Sequence, residues 1–127
     1  MAQLLGDRCI LVVEDTDPVR SLVVEALAAD GFAIREAASV DDALEQLPFA
    51  EVVLTDLELG NCSGLDLIEI IEKRFPELPV VAMSGNPALL REATRAGAIA
   101  VLAKPFDLGQ LRVAVTLATV AAAASGS

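Results

Sequence analysis

Short apolar runs and helical patterns alternate along the chain. Cys9–Val13 is an unbroken apolar run, the pattern of a strand covered on both faces. Val19, Leu22, Val23, Ala26 and Leu27 then recur at helical spacing, and Asp30-Gly31 closes that helix. Phe32–Arg35 predicts a weaker strand. Val40, Ala43, Leu44 and Leu47 share one face of a short helix that Pro48 stops. Val52–Leu54 predicts a buried strand, and Leu65, Ile68, Ile71 and Glu72 lie on a helix ending before Pro76. Pro79–Met83 predicts a strand, Ala88–Ala96 a helix, Ile99–Leu102 a strand and Leu108–Ala124 the last helix. Val113, Val115, Leu117, Ala118 and Val120 do not keep to one narrow face of it. Such a helix is either packed on more than one side or offers a surface to a partner. Residues 121–127 drift into Ala, Ser and Gly, read as a fraying tail or linker stub.

Strand and helix alternating in this way predict a parallel sheet with helices on both faces. Right-handed crossovers make it doubly wound. At 127 residues and 54% hydrophobic, the chain predicts a single domain, 1–127, with its core at about residues 8–120. It has no apolar stretch long enough to span a bilayer, and Met1–Arg8 lacks the basic-then-apolar order of a signal peptide. A cytoplasmic, membrane-free protein is expected.

Charge and composition narrow the chemistry. Nine basic residues against nineteen acidic ones leave −10, a surface that repels nucleic acid phosphates, so no nucleic acid partner is expected. Histidine is absent, which excludes Ser-His-Asp and Cys-His nucleophiles and argues against zinc. It also means that the chain carries no phosphohistidine of its own. Cys9 and Cys62 have no metal-like spacing and read as free thiols. Carboxylates, hydroxyls and lysine remain.

Those residues fall where the strands end. Glu14-Asp15 follows the first strand, Thr55-Asp56 the third, Ser84 the fourth and Lys104 the fifth. In open α/β sheets, ligands bind at the carboxyl ends of strands. The competing explanation is helix capping. Asp17-Pro18, Asn86-Pro87, Ser63 with Asp66, and Asp107 with Gln110 already serve as cap candidates. Glu14, Asp15, Asp56, Ser84 and Lys104 are left over, although a serine at a strand end also suits a simple turn. Three carboxylates at one edge repel one another unless one is protonated or a cation neutralises them. With oxygen ligands alone, the natural cation is Mg²⁺. With a lysine opposite, such a site suits a phosphoryl group.

Val12-Val-Glu-Asp15, Leu54-Thr-Asp-Leu57, Met83-Ser-Gly85 and Lys104-Pro-Phe106 resemble the four signatures of the response-regulator receiver family, in order and separation, over nearly the whole chain. The resemblance implies a flavodoxin-like (CheY-like) α/β fold, a five-stranded parallel sheet in the order 2-1-3-4-5 with five helices. It makes Asp56 the phosphoryl acceptor of a two-component phosphorelay, served by a histidine kinase or histidine phosphotransfer protein. Asp15 and Asp56 would hold Mg²⁺, Glu14 would help through water, and the Glu58 carbonyl would complete the set. Ser84 would hydrogen-bond the phosphoryl oxygens, and Lys104 would pair with them, aimed by a cis bond to Pro105. Glu58 and Asn86 would flank the hydrolytic water and tune its rate. The domain would catalyse only its own phosphorylation and dephosphorylation, so it is not otherwise an enzyme.

Two positions depart from the family pattern. Val101 stands where the family usually has a switching aromatic, and the chain contains neither Tyr nor Trp. A muted or differently propagated switch is therefore expected on the face formed by helix four, strand five and helix five, which is also the candidate homodimer surface. Gly60 stands where proline is frequent, and a more flexible loop is expected there. Three other readings compete. An aspartate-based phosphohydrolase of the haloacid-dehalogenase type needs Asp-x-Asp, and the chain has Asp56-Leu-Glu58. A flavodoxin relative needs a phosphate loop and aromatics, against 3% aromatic content. A pseudo-receiver that binds partners without phosphorylation is opposed by the intact acceptor and metal set.

Overall fold

The computed structural model describes residues 8–125. Strands β1 (Cys9–Val13), β2 (Ala33–Ala37), β3 (Val52–Asp56), β4 (Val80–Ser84) and β5 (Ala100–Ala103) form one parallel sheet in the order β2-β1-β3-β4-β5. Helices α1 (Asp17–Ala29), α2 (Val40–Gln46), α3 (Gly64–Arg74), α4 (Pro87–Ala96) and α5 (Leu108–Ser125) connect and follow them. The expected strand order and helix count are those observed. A 3₁₀ turn, Leu47–Phe49, follows α2, with Pro48 in its first turn, where the missing amide leaves no bond unmade. A two-residue antiparallel pair, Glu58–Leu59 with Cys62–Ser63, lies between β3 and α3.

Alternate residues of the central strands feed two cores, because successive side chains point to opposite faces. Leu11, Val13, Val53, Val80 and Ala82 pack with α2, α3 and α4. Ile10, Val12, Val52, Leu54, Val81 and Met83 pack with Val23 and Leu27 of α1 and with α5. Strands β3 and β4 are buried along their whole length, which is why they read as unbroken apolar runs. Strand β2 lies at an edge with only Ala37 buried. Its weak signal placed it at Phe32–Arg35, whereas pairing with β1 sets it at Ala33–Ala37.

The last helix divides cleanly. Leu111, Ala114, Val115, Ala118 and Ala122 are buried, while Val113, Leu117 and Val120 are more than half exposed. Because Ala122 packs against the core, 121–125 belongs to the helix and not to a tail. Residues 126–127 of the expected tail, and residues 1–7 of the leader reading, lie outside the described residues. No helix among the described residues is long and apolar enough to cross a membrane.

The cap assignments hold in part. Asn86 accepts from the Ala88 amide at 2.9 Å. The Asp107 amide donates to Gln110 Oε1 at 2.9 Å and the Gln110 amide donates to Asp107 Oδ1 at 2.7 Å, the reciprocal pair of a capping box. Ser63 accepts from Leu65 at 3.0 Å, so it caps α3 without a bond to the Asp66 amide. Asp17 is not the cap of α1: Thr16 occupies that position without a side-chain cap bond, and the Asp17 carboxylate is taken by Arg20 within the first turn. The cap of α2 is Ser39, whose hydroxyl accepts from the Asp42 amide at 3.1 Å.

Candidate functional site

Parallel register brings the strand ends together. Val13 pairs with Thr55, Asp56 with Met83 and Ser84 with Ala103. The residues that end the strands therefore emerge at one level along the carboxyl edge. Carboxylate oxygens of Glu14, Asp15 and Asp56 lie within 4.8 Å of one another. Glu14 is fully buried, Asp56 nearly so, and Asp15 is exposed. The Lys104 ammonium reaches across from β5 to donate to Glu14 Oε1 and Asp56 Oδ2, each at 2.9 Å. The Lys104-Pro105 peptide is cis, as the resemblance implies.

The electrostatics follow from this packing. Burial raises the Glu14 pKa above the ordinary glutamate value; the Lys104 hydrogen bond pulls it down, and the neighbouring Asp56 pushes it up again. Burial disfavours the Lys104 charge, yet its bonds to Glu14 and Asp56 prevail and its pKa is raised. The lysine is thus held protonated. Among the described residues, Lys104 is the basic side chain paired with these carboxylates. One positive charge against three clustered carboxylates leaves a local excess of negative charge. An all-oxygen donor set of this kind fits a hard divalent cation such as Mg²⁺.

Each remaining candidate has a definite place. Asp56 Oδ1 accepts the Glu58 amide at 3.1 Å, so both carboxylate oxygens of Asp56 receive a donor. The Glu58 side chain extends to Ser84, whose buried hydroxyl donates to Glu58 Oε1 at 3.2 Å and accepts the Asn86 amide at 2.9 Å. Ser84 therefore serves its turn and faces the site as well. Asn86 is exposed, with its Oδ1 engaged in capping α4. Val101 is 38% exposed. It lines an apolar groove of about 720 Å³ that it shares with Leu90, Val113 and Leu117. Pro105 lines a second hollow of about 390 Å³, beside Lys104, with Val19, Leu22, Val23 and Phe106.

Two glycines shape the loop that follows β3. A Cβ on Gly64 would overlap the Asp56 carbonyl oxygen and lie 2.8 Å from Leu57 Cα. The start of α3 therefore sits directly against the backbone of Asp56 and Leu57. In the sequence Gly64 stands only between the cap candidates Ser63 and Asp66, and a close approach of backbone to backbone leaves no local signal there. Gly60, at φ +61, turns the chain between Glu58–Leu59 and Cys62–Ser63. Proline, fixed near −65°, has no access to that conformation.

The comparisons with known proteins agree with this geometry. Residues 10–116 match the family described as "Response regulator receiver domain". The chain is 38% identical over 113 residues to the response regulator protein PilR of Pseudomonas aeruginosa, covering 85% of this chain and 25% of that protein. It is 30% identical over 113 residues to the photosynthetic apparatus regulatory protein RegA of Cereibacter sphaeroides, covering 86% of this chain and 61% of that one. Among solved structures, the receiver domain of NtrX from Brucella abortus superposes with a TM-score of 0.83 at 35% identity, covering 87% of this chain and 98% of the other. The chain thus spans about a quarter of PilR and under two thirds of RegA, but nearly all of the isolated NtrX receiver. Residues 10–116, and with them the acidic cluster and the lysine that closes it, belong to the response regulator receiver domain family.

Proposed function

We propose that the domain receives a phosphoryl group on Asp56 from a phosphohistidine of a histidine kinase or phosphotransfer protein, and that loading changes its partner-binding surface. The observation that carries this reading is the Asp56 carboxylate itself. It is 5% exposed, oriented by Glu58 and Lys104, and grouped with Glu14 and Asp15. In the transfer, an Asp56 oxygen forms a bond to phosphorus as the phosphorus–nitrogen bond to the donor imidazole breaks. The product is an aspartyl phosphate, a mixed anhydride.

Lys104 exchanges its contact with Asp56 for one with a phosphoryl oxygen, and the Ser84 hydroxyl serves a second oxygen. Asp15, Asp56 and the Glu58 carbonyl would hold Mg²⁺ directly, with Glu14 helping through water. When bound, the ion neutralises charge spread over the transferring oxygens. Glu58 and Asn86 flank the path of the water that later removes the group. The domain acts catalytically on itself alone. Val101, lacking an aromatic ring, mutes the switch on the α4–β5–α5 face, and Val113, Leu117 and Val120 on that side suit a homodimer. The acidic charge keeps nucleic acid off this surface, and the relay operates in the cytoplasm.

Intact mass after incubation with acetyl phosphate tests the reading. Wild type gains one phosphoryl group with Mg²⁺ and none without it, and Asp56→Asn gains none. A gain that persists in Asp56→Asn, or no gain by wild type with either acetyl phosphate or beryllofluoride, overturns it.

A further inference from the structure

Glu58 touches two partners with two different groups. Its backbone amide donates to Asp56 Oδ1 at 3.1 Å, and its carboxylate accepts from the Ser84 hydroxyl at 3.2 Å. A serine hydroxyl has one proton to give. The Asn86 amide only donates, so at 2.9 Å it occupies a lone pair of Ser84 Oγ. The Glu58 carboxylate only accepts, so the proton is committed to Glu58. A phosphoryl oxygen is also acceptor-only. Ser84 therefore cannot serve Glu58 and a phosphoryl group at once.

We infer that Glu58 is a positioning residue that latches the resting state. Its amide orients the acceptor, while its side chain holds the Ser84 proton away from the incoming group. Loading Asp56 then exchanges the Glu58–Ser84 bond for a phosphoryl–Ser84 bond and gains no hydrogen bond outright. The latch lowers the affinity of the site for a phosphoryl group. This rests on the phosphoacceptor reading of Asp56. Simple repulsion by the Glu58 charge would also lower that affinity, but it would not require Ser84. The two causes separate in Glu58→Gln, which keeps an acceptor oxygen and loses the charge.

The test has two arms. In metal-free buffer, urea unfolding of wild type, Glu58→Ala, Ser84→Ala and the double variant forms a cycle. The expected result is unfolding constants that are non-additive by about fivefold; additivity within about twofold overturns the latch. In the second arm, beryllofluoride is titrated with Mg²⁺. Glu58→Ala is expected to bind about fivefold more tightly than wild type, Glu58→Gln within about twofold of it, and the Glu58→Ala gain should vanish in the Ser84→Ala background. An equal gain in Glu58→Gln and Glu58→Ala, or a gain that survives in Ser84→Ala, assigns the effect to charge and overturns the latch alone. Failure of wild type to bind beryllofluoride overturns the phosphoacceptor reading and the latch with it.

Discussion

The carboxyl edge of the sheet and the α4–β5–α5 face are built on opposite principles. At the edge, buried polar groups meet partners: Glu14 and Asp56 bind Lys104, and Ser84 binds Glu58. On the face, Val101, Val113 and Leu117 line an open apolar groove. The edge spends folding free energy to hold charges in a fixed geometry, since unpaired buried charges are costly. The face forgoes burial that the core could have used. A site for chemistry must be over-determined in the free protein, whereas a surface for contacts is left incomplete until something covers it. Disturbing the edge should therefore disturb both folding and chemistry; disturbing the face should leave the fold intact.

The largest effect is expected at Gly64. Adding a methyl group forces backbone apart at Asp56 and Leu57, so Gly64→Ala should destabilise by roughly 2–4 kcal/mol and slow loading of Asp56. Urea unfolding reads the first consequence; a loss under about 0.5 kcal/mol would show that the loop yields freely.

Next in size is the stabilising effect of the metal. Clustered carboxylates that gain a bound cation on folding should stabilise the fold by about 2.7 kcal/mol at Mg²⁺ one hundredfold above its dissociation constant. Asp15→Asn should remove most of that gain. Thermal unfolding with and without Mg²⁺ decides it, and an equal response from both proteins would break the link between cluster and metal.

A smaller effect concerns pH. Glu14 has a raised pKa in the folded protein, chiefly through burial. A raised carboxyl pKa means that the folded state binds its proton more tightly than the unfolded state does. Glu14 thus contributes stability fully below the ordinary glutamate pKa, and that contribution is lost as pH rises through the raised value. In metal-free buffer, Glu14→Gln should flatten stability against pH across that window. Parallel curves for the two proteins would mean that Glu14 titrates alike folded and unfolded.

The smallest effect on folding lies on the face. Leu117→Glu should change monomer stability by no more than about 0.5 kcal/mol, because Leu117 is already 54% exposed. It should abolish any self-association seen by sedimentation. Wild type remaining monomeric at high concentration, with and without beryllofluoride, would remove the homodimer. Amide exchange on the same face sharpens the comparison: a large change on adding beryllofluoride would show that Val101 does not mute the switch.

Much of this was legible along the chain, and for a physical reason. A parallel strand covered on both faces must be an unbroken apolar run. The polar residue that ends it is therefore conspicuous, and Glu14, Asp15, Asp56 and Ser84 stand out that way; Lys104 ends the partly exposed edge strand β5 and stands out only as a basic residue after a short apolar run. The exposed edge strand β2 had no such run, and its bounds were misplaced. Residues 121–124 fall both in the expected last helix and in the expected tail, because alanine alone shows no face; packing of Ala122 decides for the helix. Asp-Pro predicts a cap at Asp17, but Thr16 holds that position and Arg20, a turn away, takes the Asp17 carboxylate.

The sequence by itself determined the element order, the residues at the strand ends and the family to which they belong. The tertiary structure alone decided whom those residues touch. Lys104 meets Glu14 across 90 positions and Asp56 across 48, and Ser84 meets Glu58 across 26. Such pairings depend on strand order and register, which place distant segments side by side. Local patterns of apolar and polar residues carry the period of a strand or helix, but not the identity of its neighbour across the sheet.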